Sequence, residues 1–259
     1  MGQFALGGRD AARFALRSPR GALRTDAASF PSNDFRGLSV LLTLDTATRM
    51  IGIALHDGEN LLAESLWLGG RRHTVLLAPE VALMLRKINR TADALTAVAV
   101  TSGPGSYTGL RIGMAYAKGL ALSHQLPLIG IPTLDVLARG QPKRSEPMLA
   151  VIEAGRKRVV GMWYKWGRSG WKPRGEAGNY SWKEVISQLE KKSYVCGEIS
   201  TEARKKLKEL SNVRLASPAD CVRRPGILAE LAWERIQKGK LPDIAAVRPV
   251  YLDSGIESR

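Results

Sequence analysis

A glycine-rich turn formed by Gly103, Pro104 and Gly105 is the stretch whose residue types are best suited to binding chemistry. It follows a short apolar run, residues 98–100, that is typical of a buried strand, and it leads into a helical pattern that begins at Tyr107. A helix N-terminus carries unpaired backbone N–H groups and attracts anions. The turn is therefore either an anion or ligand cradle or a tight connection between a strand and a helix, and its spacing leaves both interpretations open.

This turn does not match the known phosphate-binding motifs. No Lys-Ser or Lys-Thr pair follows its last glycine, and Gly103, Gly105 and Gly109 miss the GxGxxG spacing by one residue. The sequence therefore predicts no standard phosphate loop here.

Candidate metal ligands and nucleophiles are scattered along the chain. His56, His73 and His124 lie far apart and none has a second histidine at i+4, which argues against a zinc or iron site. Cys196 and Cys221 have no CxxC spacing, so we expect buried free thiols. No Ser/His/Asp or Cys/His set has a recognisable context. We predict no catalytic residue and no metal site in this chain.

The elements that position the turn begin with three strands. Residues 40–44 form an apolar strand ending at Asp45, residues 51–55 form its hairpin partner, and residues 60–67 form a third strand. Residues 73–88 then show a helical pattern whose apolar residues cover nearly the whole circumference. A surface helix is apolar along one stripe only. This helix is therefore either sandwiched within the fold or has a second apolar face that meets another chain.

Three ordered motifs carry a family resemblance. They are LDTAT at residues 44–48, SGPGSYTGLRIG at residues 102–113 and IPTLDVLA at residues 131–138. Together they resemble the bacterial TsaB (YeaZ) family over residues 40–138, and the resemblance returns at PVYLD, residues 249–253. It implies an α/β, actin-like (ASKHA) fold. It also implies a non-catalytic partner of TsaD, with which the family makes threonylcarbamoyladenosine beside the anticodon of tRNA.

An internal repeat predicts two duplicated lobes. The pattern LLTLDTATRMIGIAL from residue 41 can be laid over MLAVIEAGRKRVVGMWY from residue 148, which makes Glu153 the counterpart of Asp45. We therefore predict an N-terminal lobe at residues 39–140 and a C-terminal lobe at residues 147–259. Residues 1–38, rich in Arg, Ala, Gly and Ser, are predicted to be a disordered extension.

The resemblance assigns a vestigial nucleotide site to the two facing hairpins and the glycine turn. Its residues are Asp45, Thr46, Thr48, Gly103, Gly105 and Glu153. In working enzymes of this fold the second loop carries Asp, a small residue and Gly, whereas here Glu153 is followed by Ala, Gly and the basic residue Arg156. We therefore expect no cofactor on this chain alone, and ATP and a metal on the TsaD-like partner. The alternative is an independent ATPase or kinase of the same fold.

The family also pairs with TsaD through the helix at residues 73–88 and the helix after the glycine turn. The predicted interface residues are His73, Leu76, Leu77, Glu80, Met84, Tyr107, Arg111 and Met114. The implied partners are a TsaD-like subunit and a TsaE-like ATPase, with tRNA as the substrate of the complex and a homodimer when the chain is alone.

The charge of the chain is concentrated in its second half. The net charge is +15, and residues 138–259 hold 25 Lys and Arg against 14 Asp and Glu. Residues 156–183 interleave these cations with Trp and Tyr, which suits RNA contact but also an antiparallel sheet with aromatics on one face. The chain shows neither an apolar run of about 20 residues nor a secretory signal, so we expect a cytoplasmic protein with no membrane partner.

Overall fold

The computed structural model describes residues 39–70, 72–155, 158–189, 191–239 and 241–252. Three features considered in the sequence lie outside the described residues: the predicted extension at residues 1–38, Arg156 of the second loop, and Asp253 of the PVYLD motif. Within the described ranges the chain forms two five-stranded sheets with helices packed on them.

The first sheet has five strands: β1 (Val40–Asp45), β2 (Met50–His56), β3 (Leu61–Leu68), β4 (Leu95–Gly103) and β5 (Leu128–Pro132). Their order in the sheet is β3-β2-β1-β4-β5, with β1 at the centre. All six residues of β1 are buried, as expected for an apolar strand covered on both faces. β1 runs antiparallel to β2 and parallel to β4, so the C-terminal ends of β1 and β4 lie side by side.

Three helices follow these strands: α1 (His73–Lys87), α2 (Tyr107–Ser123) and α3 (Thr133–Arg139). α1 and α2 cover one face of the first sheet, where Leu77 and Met114 join Leu42 in a common apolar core. The helix predicted at residues 73–88 is therefore confirmed as an element, and one of its faces is core. No helix among those described is long and apolar enough to span a membrane.

The second sheet repeats the pattern of the first. Its strands are β6 (Met148–Gly155), β7 (Arg158–Gly167), β8 (Gly170–Ser181), β9 (Ser193–Gly197) and β10 (Val213–Leu215). The helix α4 (Trp182–Ser187) follows β8, α5 (Thr201–Lys208) follows β9, and α6 (Pro225–Gln237) comes after β10. The order β8-β7-β6-β9-β10 matches β3-β2-β1-β4-β5 strand for strand, with an antiparallel hairpin and a parallel neighbour at the centre of each sheet. The predicted duplication is confirmed by this topology.

The aromatic stretch of the second lobe is the antiparallel pair β7–β8, but its aromatics do not share one face. Trp166 and Trp171 pack in the cluster that contains α3, whereas Trp163 and Tyr180 pack in the opposite cluster with α4. The expectation of a single aromatic face is therefore wrong, because both faces of this sheet are covered by helices.

The helix α6 departs from the predicted lobe boundary. It lies in the range assigned to the C-terminal lobe, residues 147–259, yet Leu228 and Ala232 pack against Leu41 and Ala99 of the first sheet. The reason is that β1 is apolar on both faces while α1 and α2 cover only one of them. The chain returns from the second lobe to cover the other face of the first sheet. The predicted boundary, which assigns all residues from 147 to the C-terminal lobe, is therefore wrong for α6.

Candidate functional site

Asp45, at the C-terminal end of β1, has partners on both carboxylate oxygens. Its Oδ1 accepts hydrogen bonds from the backbone N–H of Ala47 at 3.0 Å and from the hydroxyl of Thr101 at 3.1 Å. Its Oδ2 accepts a hydrogen bond from Nε of Arg223 at 2.8 Å. The bond to Ala47 is an Asx-type turn that fixes the shape of the loop after β1.

Arg223, two residues before α6, is the buried cation of the site. Besides Asp45, it donates from Nη1 to Oε1 of Glu198 at 2.9 Å and from Nη2 to the hydroxyl of Thr48 at 2.6 Å. Asp45 and Thr48 belong to the loop after β1, whereas Glu198 follows β9 of the second sheet. One planar guanidinium thus joins the two lobes through three hydrogen bonds with separate partners.

Glu198 completes this network from the second lobe. Its Oε1 accepts a hydrogen bond from the Thr48 hydroxyl at 2.5 Å, and its Oε2 accepts one from the backbone N–H of Glu153 at 3.0 Å. Burial by itself would raise the pKa of Glu198, but the Arg223 charge and these hydrogen bonds outweigh it and hold the pKa below its ordinary value. Burial likewise opposes the charge of Arg223, and the carboxylates of Asp45 and Glu198 raise its pKa in return.

Glu153, the predicted counterpart of Asp45, does not play an equivalent part. Its side chain is half-buried and forms an ion pair at 2.9 Å with Arg49, which is largely exposed. Glu153 enters the buried network through its backbone N–H to Glu198 and not through its carboxylate.

The glycines after β4 lie directly against the backbone of the loop after β1. A Cβ atom on Gly105 would lie 2.4 Å from the carbonyl oxygen of Ala47, and one on Gly109 would lie 2.2 Å from that of Thr46. A Cβ atom on Gly113 would lie 2.1 Å from Oγ1 of Thr46, which donates to the Gly109 carbonyl at 2.8 Å. These glycines are therefore required for close packing between α2 and the loop.

Two of the amides that could have formed an anion cradle are used within the protein. Ser106 N–H donates to the Ala47 carbonyl at 2.6 Å, and Gly109 N–H donates to the Ser106 hydroxyl at 3.3 Å. Gly103, at φ 114°, lies against the carbonyl of Val250, whose N–H donates to Ser102 at 2.7 Å. Of the two interpretations of the turn, the geometry supports the tight strand-to-helix connection.

The groups that would meet a nucleotide in an actin-like site are engaged within the protein. The carboxylate that would orient a metal ion in an actin-like site, that of Asp45, is paired with Arg223, and the loop after β1 fills the space beside the glycines. Within the part of the chain that the structure describes, no group of three His, Cys, Asp or Glu side chains is placed to hold a metal ion.

The structure brings five of the six predicted loop residues to one place. Asp45, Thr46, Thr48, Gly105 and the backbone of Glu153 meet in or beside the network, and Gly103 packs against the 249–252 segment. Sequence reasoning missed Arg223 and Glu198. The only available signal was the pair Arg223-Arg224 before the helix-starting Pro225, and nothing in it separates the buried arginine from its exposed neighbour.

Comparison with known proteins gives consistent results. A family model described as "TsaD: tRNA N6-adenosine threonylcarbamoyltransferase" matches residues 68–186. The tRNA threonylcarbamoyladenosine biosynthesis protein TsaB of Escherichia coli (strain K12) is 37% identical over 116 residues, which are 44% of this chain and 50% of that protein. The protein of the same name from Haemophilus influenzae is 32% identical over 152 residues, covering 57% of this chain and 62% of that protein. Over these regions the chain is similar to the TsaB (YeaZ) family.

The solved structures agree on the fold. YeaZ from Pseudomonas aeruginosa superposes with a TM-score of 0.67 at 23% identity, over 83% of this chain and 100% of that chain. The fold is thus an α/β, actin-like fold with two duplicated lobes. By sequence, the chain spans about half the length of the first curated TsaB relatives that it matches.

The predicted interface residues divide between core and surface. Leu77, Met84 and Met114 are buried between α1, α2 and the first sheet, so their assignment to a surface interface is wrong. Leu76 is partly buried against the same core, and Glu80 accepts a hydrogen bond from Ser65 at 3.2 Å. His73 begins α1, and its side chain lies outside the described part of the structure.

The outer side of α2 carries the rest of the predicted set. Tyr107 is 58% exposed and its ring lies under the guanidinium of Arg111, which also donates to the Tyr107 hydroxyl. Exposed residues continue along this side at helical spacing through Ala115 and Gly119 to Leu122, which is 65% exposed. We call this the α2 stripe: Tyr107, Arg111, Ala115, Gly119 and Leu122.

Proposed function

We propose that the chain acts in the synthesis of threonylcarbamoyladenosine beside the tRNA anticodon, as the non-catalytic partner subunit of a TsaD-like threonylcarbamoyltransferase. Relatives that carry the name tRNA threonylcarbamoyladenosine biosynthesis protein TsaB support the pathway. The observation that carries the non-catalytic role is Arg223, because its guanidinium occupies the position between the two loops where an actin-like enzyme would need room for phosphates and a metal.

In this proposal the chemistry is divided between subunits. The TsaD-like partner holds ATP and the metal, a TsaE-like ATPase joins the pair, and tRNA is the substrate of the whole complex. The present chain supplies a rigid body, because the ion pairs of Arg223 with Asp45 and Glu198 hold its two lobes together without a nucleotide.

The docking face is the exposed side of α1 and α2. The two helices share one face of the first sheet, and Val75 and Leu83 of α1 remain exposed, as do the residues of the α2 stripe. Ala115 and Gly119 leave the middle of the stripe without bulk, and a Cβ atom at Gly119 would meet nothing within 4 Å. Large apolar residues at its ends and small ones between them suit a partner helix or, when the chain is alone, a second copy.

The test is a pair of matched substitutions at exposed leucines. Leu122→Glu alters the α2 stripe. Leu68→Glu serves as the control because Leu68 is 69% exposed and, two residues after Leu66 in the same strand, lies on the face of the sheet that α6 covers. We expect both variants to fold, and only Leu122→Glu to lose co-purification with the TsaD-like protein of the same organism. Retained binding by Leu122→Glu would place the interface elsewhere.

The same preparations test the alternative of an independent ATPase or kinase. The geometry around Asp45 does not favour that alternative, since its carboxylate is already engaged by Arg223. ATP turnover by the isolated chain that is abolished by Asp45→Asn would overturn the non-catalytic role. No turnover together with restored transferase activity on adding the chain to the TsaD-like protein would support it.

A further inference from the structure

A basic pocket of about 440 Å³ opens on the second lobe, where the chain enters β6. It is lined by Lys143, Arg144, Ser145, Lys165 and Trp166. These residues lie near the N-terminal end of β6, whereas Glu153 and the Arg223 network lie at its C-terminal end. The pocket is therefore separate from the closed cleft.

The three cations of the pocket are only partly neutralised by the protein. Within the described residues, Lys143, Arg144 and Lys165 form no close ion pair. The adjacent carboxylate of Glu146 attracts Arg144, but it is also engaged by the Ser145 hydroxyl at 3.0 Å and by Arg214 at 3.9 Å. Arg144 is held in place by stacking, with its guanidinium 4.5 Å from the centroid of the Tyr194 ring. Its Nε is buried and has no hydrogen-bond partner.

The positive charge continues from the pocket onto the β7–β8 hairpin. Lys165 lies directly opposite Lys172 in the strand register, and both side chains are exposed. Like charges at directly opposed positions destabilise a sheet, and an anion placed between them would relieve that cost. Arg174, also exposed, extends the same run of cations along the outer strand.

Trp166 gives the pocket a rigid aromatic wall. Its ring packs edge-on against Trp171, at a centroid distance of 5.4 Å and an interplanar angle of 89°. Trp171 is in turn fixed by a hydrogen bond from its indole N–H to the carbonyl of Gln141 at 3.1 Å. A fixed ring beside several cations suits an aromatic base attached to a phosphate.

We propose that this pocket binds a single-stranded segment of RNA, with Lys143, Arg144 and Lys165 on successive phosphates and a base against Trp166. Single-stranded RNA fits better than a free nucleotide because the cations extend out of the pocket toward Lys172. The pocket is formed by this chain alone, so its binding of RNA can be tested independently. Only the identity of the RNA in the cell rests on the proposed function.

The test measures binding of a fluorescein-labelled 12-nucleotide oligouridylate to the full chain by fluorescence anisotropy across a salt series. We expect the double variant Lys143→Gln/Lys165→Gln to bind about tenfold more weakly at low salt, and to lower the slope of log K against log salt by about 1.4, since each phosphate contact on a single strand contributes about 0.7. The matched control Lys205→Gln/Lys208→Gln removes two exposed cations of α5, and we expect less than a twofold change. If the two double variants lost the same affinity, the effect would come from net charge alone and the proposed site would be wrong.

Two further measurements distinguish binding of single-stranded RNA from binding of other anions. Trp166→Phe should keep the fold and the salt slope while weakening binding severalfold, because it removes ring area and no charge. Uridine monophosphate or polyglutamate added at the oligonucleotide's own concentration should not displace the oligonucleotide. Displacement by the mononucleotide would mean a site for a free phosphate ligand, and displacement by polyglutamate would mean a surface for any polyanion. Either result, or no binding of the oligonucleotide at low salt, would refute the proposal.

Discussion

The Arg223 guanidinium and the Asp45 carboxylate lie 2.8 Å apart although 178 residues separate them in the chain, and both side chains are only 2% exposed. The pair joins the end of the central strand of the first sheet to the segment that leads into α6. With Glu198 as a second carboxylate on the same guanidinium, it also connects the second lobe. Opening the cleft would leave a charge without its partners in a buried place, which is costly. The cleft is therefore closed by the protein's own side chains.

Loss of Arg223 should destabilise the whole fold. We expect Arg223→Met to lower the free energy of unfolding by about 3–5 kcal/mol, because two carboxylates remain buried without their counter-charge. Urea denaturation at pH 7 measures this. Arg139→Met is the matched control, since the Arg139–Glu234 pair is partly exposed and should contribute no more than about 1 kcal/mol.

A double variant separates the ion pair from the packing of the arginine. Arg223→Met combined with Asp45→Asn should recover part of the lost stability, since the unpaired charge is removed together with its partner. If the double variant is as unstable as the sum of the two single variants, the two residues are not coupled and the network has no role in holding the lobes.

Two glycines of α2 offer a matched test of its packing against the loop after β1. Gly113→Ala places a Cβ atom 2.1 Å from Oγ1 of Thr46, so the Thr46 side chain must move and lose its hydrogen bond to Gly109, and we expect a loss of stability of about 1–3 kcal/mol. Gly119→Ala meets nothing within 4 Å and should stabilise the free chain by about 0.5–1 kcal/mol. Thermal unfolding of the two variants should shift in opposite directions; shifts of the same sign would contradict the packing described here.

The stability of the fold should depend on pH through Glu198. Its pKa is lower in the folded chain than in the unfolded one, where a glutamate titrates near about 4.3, so its contribution is complete above that pH and is lost as the pH falls through the folded pKa. Glu198→Gln should therefore be less stable than the wild type at pH 7, and the difference should shrink below about pH 4. Urea denaturation from pH 7 to pH 3 tests this, with Glu202→Gln on the exposed surface of α5 as the control. A difference independent of pH would exclude an electrostatic role for Glu198.

Much of the fold could be predicted because its signals are local. The apolar run that ends at Asp45, the helix at residues 73–88 and the repeat around Glu153 each reflect one periodic pattern, and the structure has strands and a helix at these places. The family motifs added the actin-like arrangement, which the two matching sheets confirm.

What could not be predicted depends on contacts between distant segments. Whether Leu77 or Val75 faces the sheet is set by the rotation of α1, which an apolar pattern around the whole helix does not fix. The burial of Arg223 and not Arg224 depends on where α6 crosses the first sheet. The tight contacts at Gly105 and Gly109 likewise involve backbone from another loop, so the sequence shows the glycines but not their partner.

The two cysteines should report on the opening of the cleft. Both are free, and Cys196 of β9 is fully buried, so burial raises the pKa of its thiol well above the ordinary value, whereas Cys221 is half-buried. Since the thiolate is the reactive form, we expect iodoacetamide at pH 8 to modify Cys221 first and to reach Cys196 only when the second sheet opens. Cys196 is fully buried and lies two residues before Glu198, so Arg223→Met should speed its modification at least severalfold. Cys221 is already partly accessible, so its rate should change less. Mass spectrometry of the alkylated peptides at timed intervals gives both rates. Modification of Cys196 as fast as Cys221 in the wild-type chain would mean that β9 is already accessible, and that the Arg223 network does not keep the lobes closed.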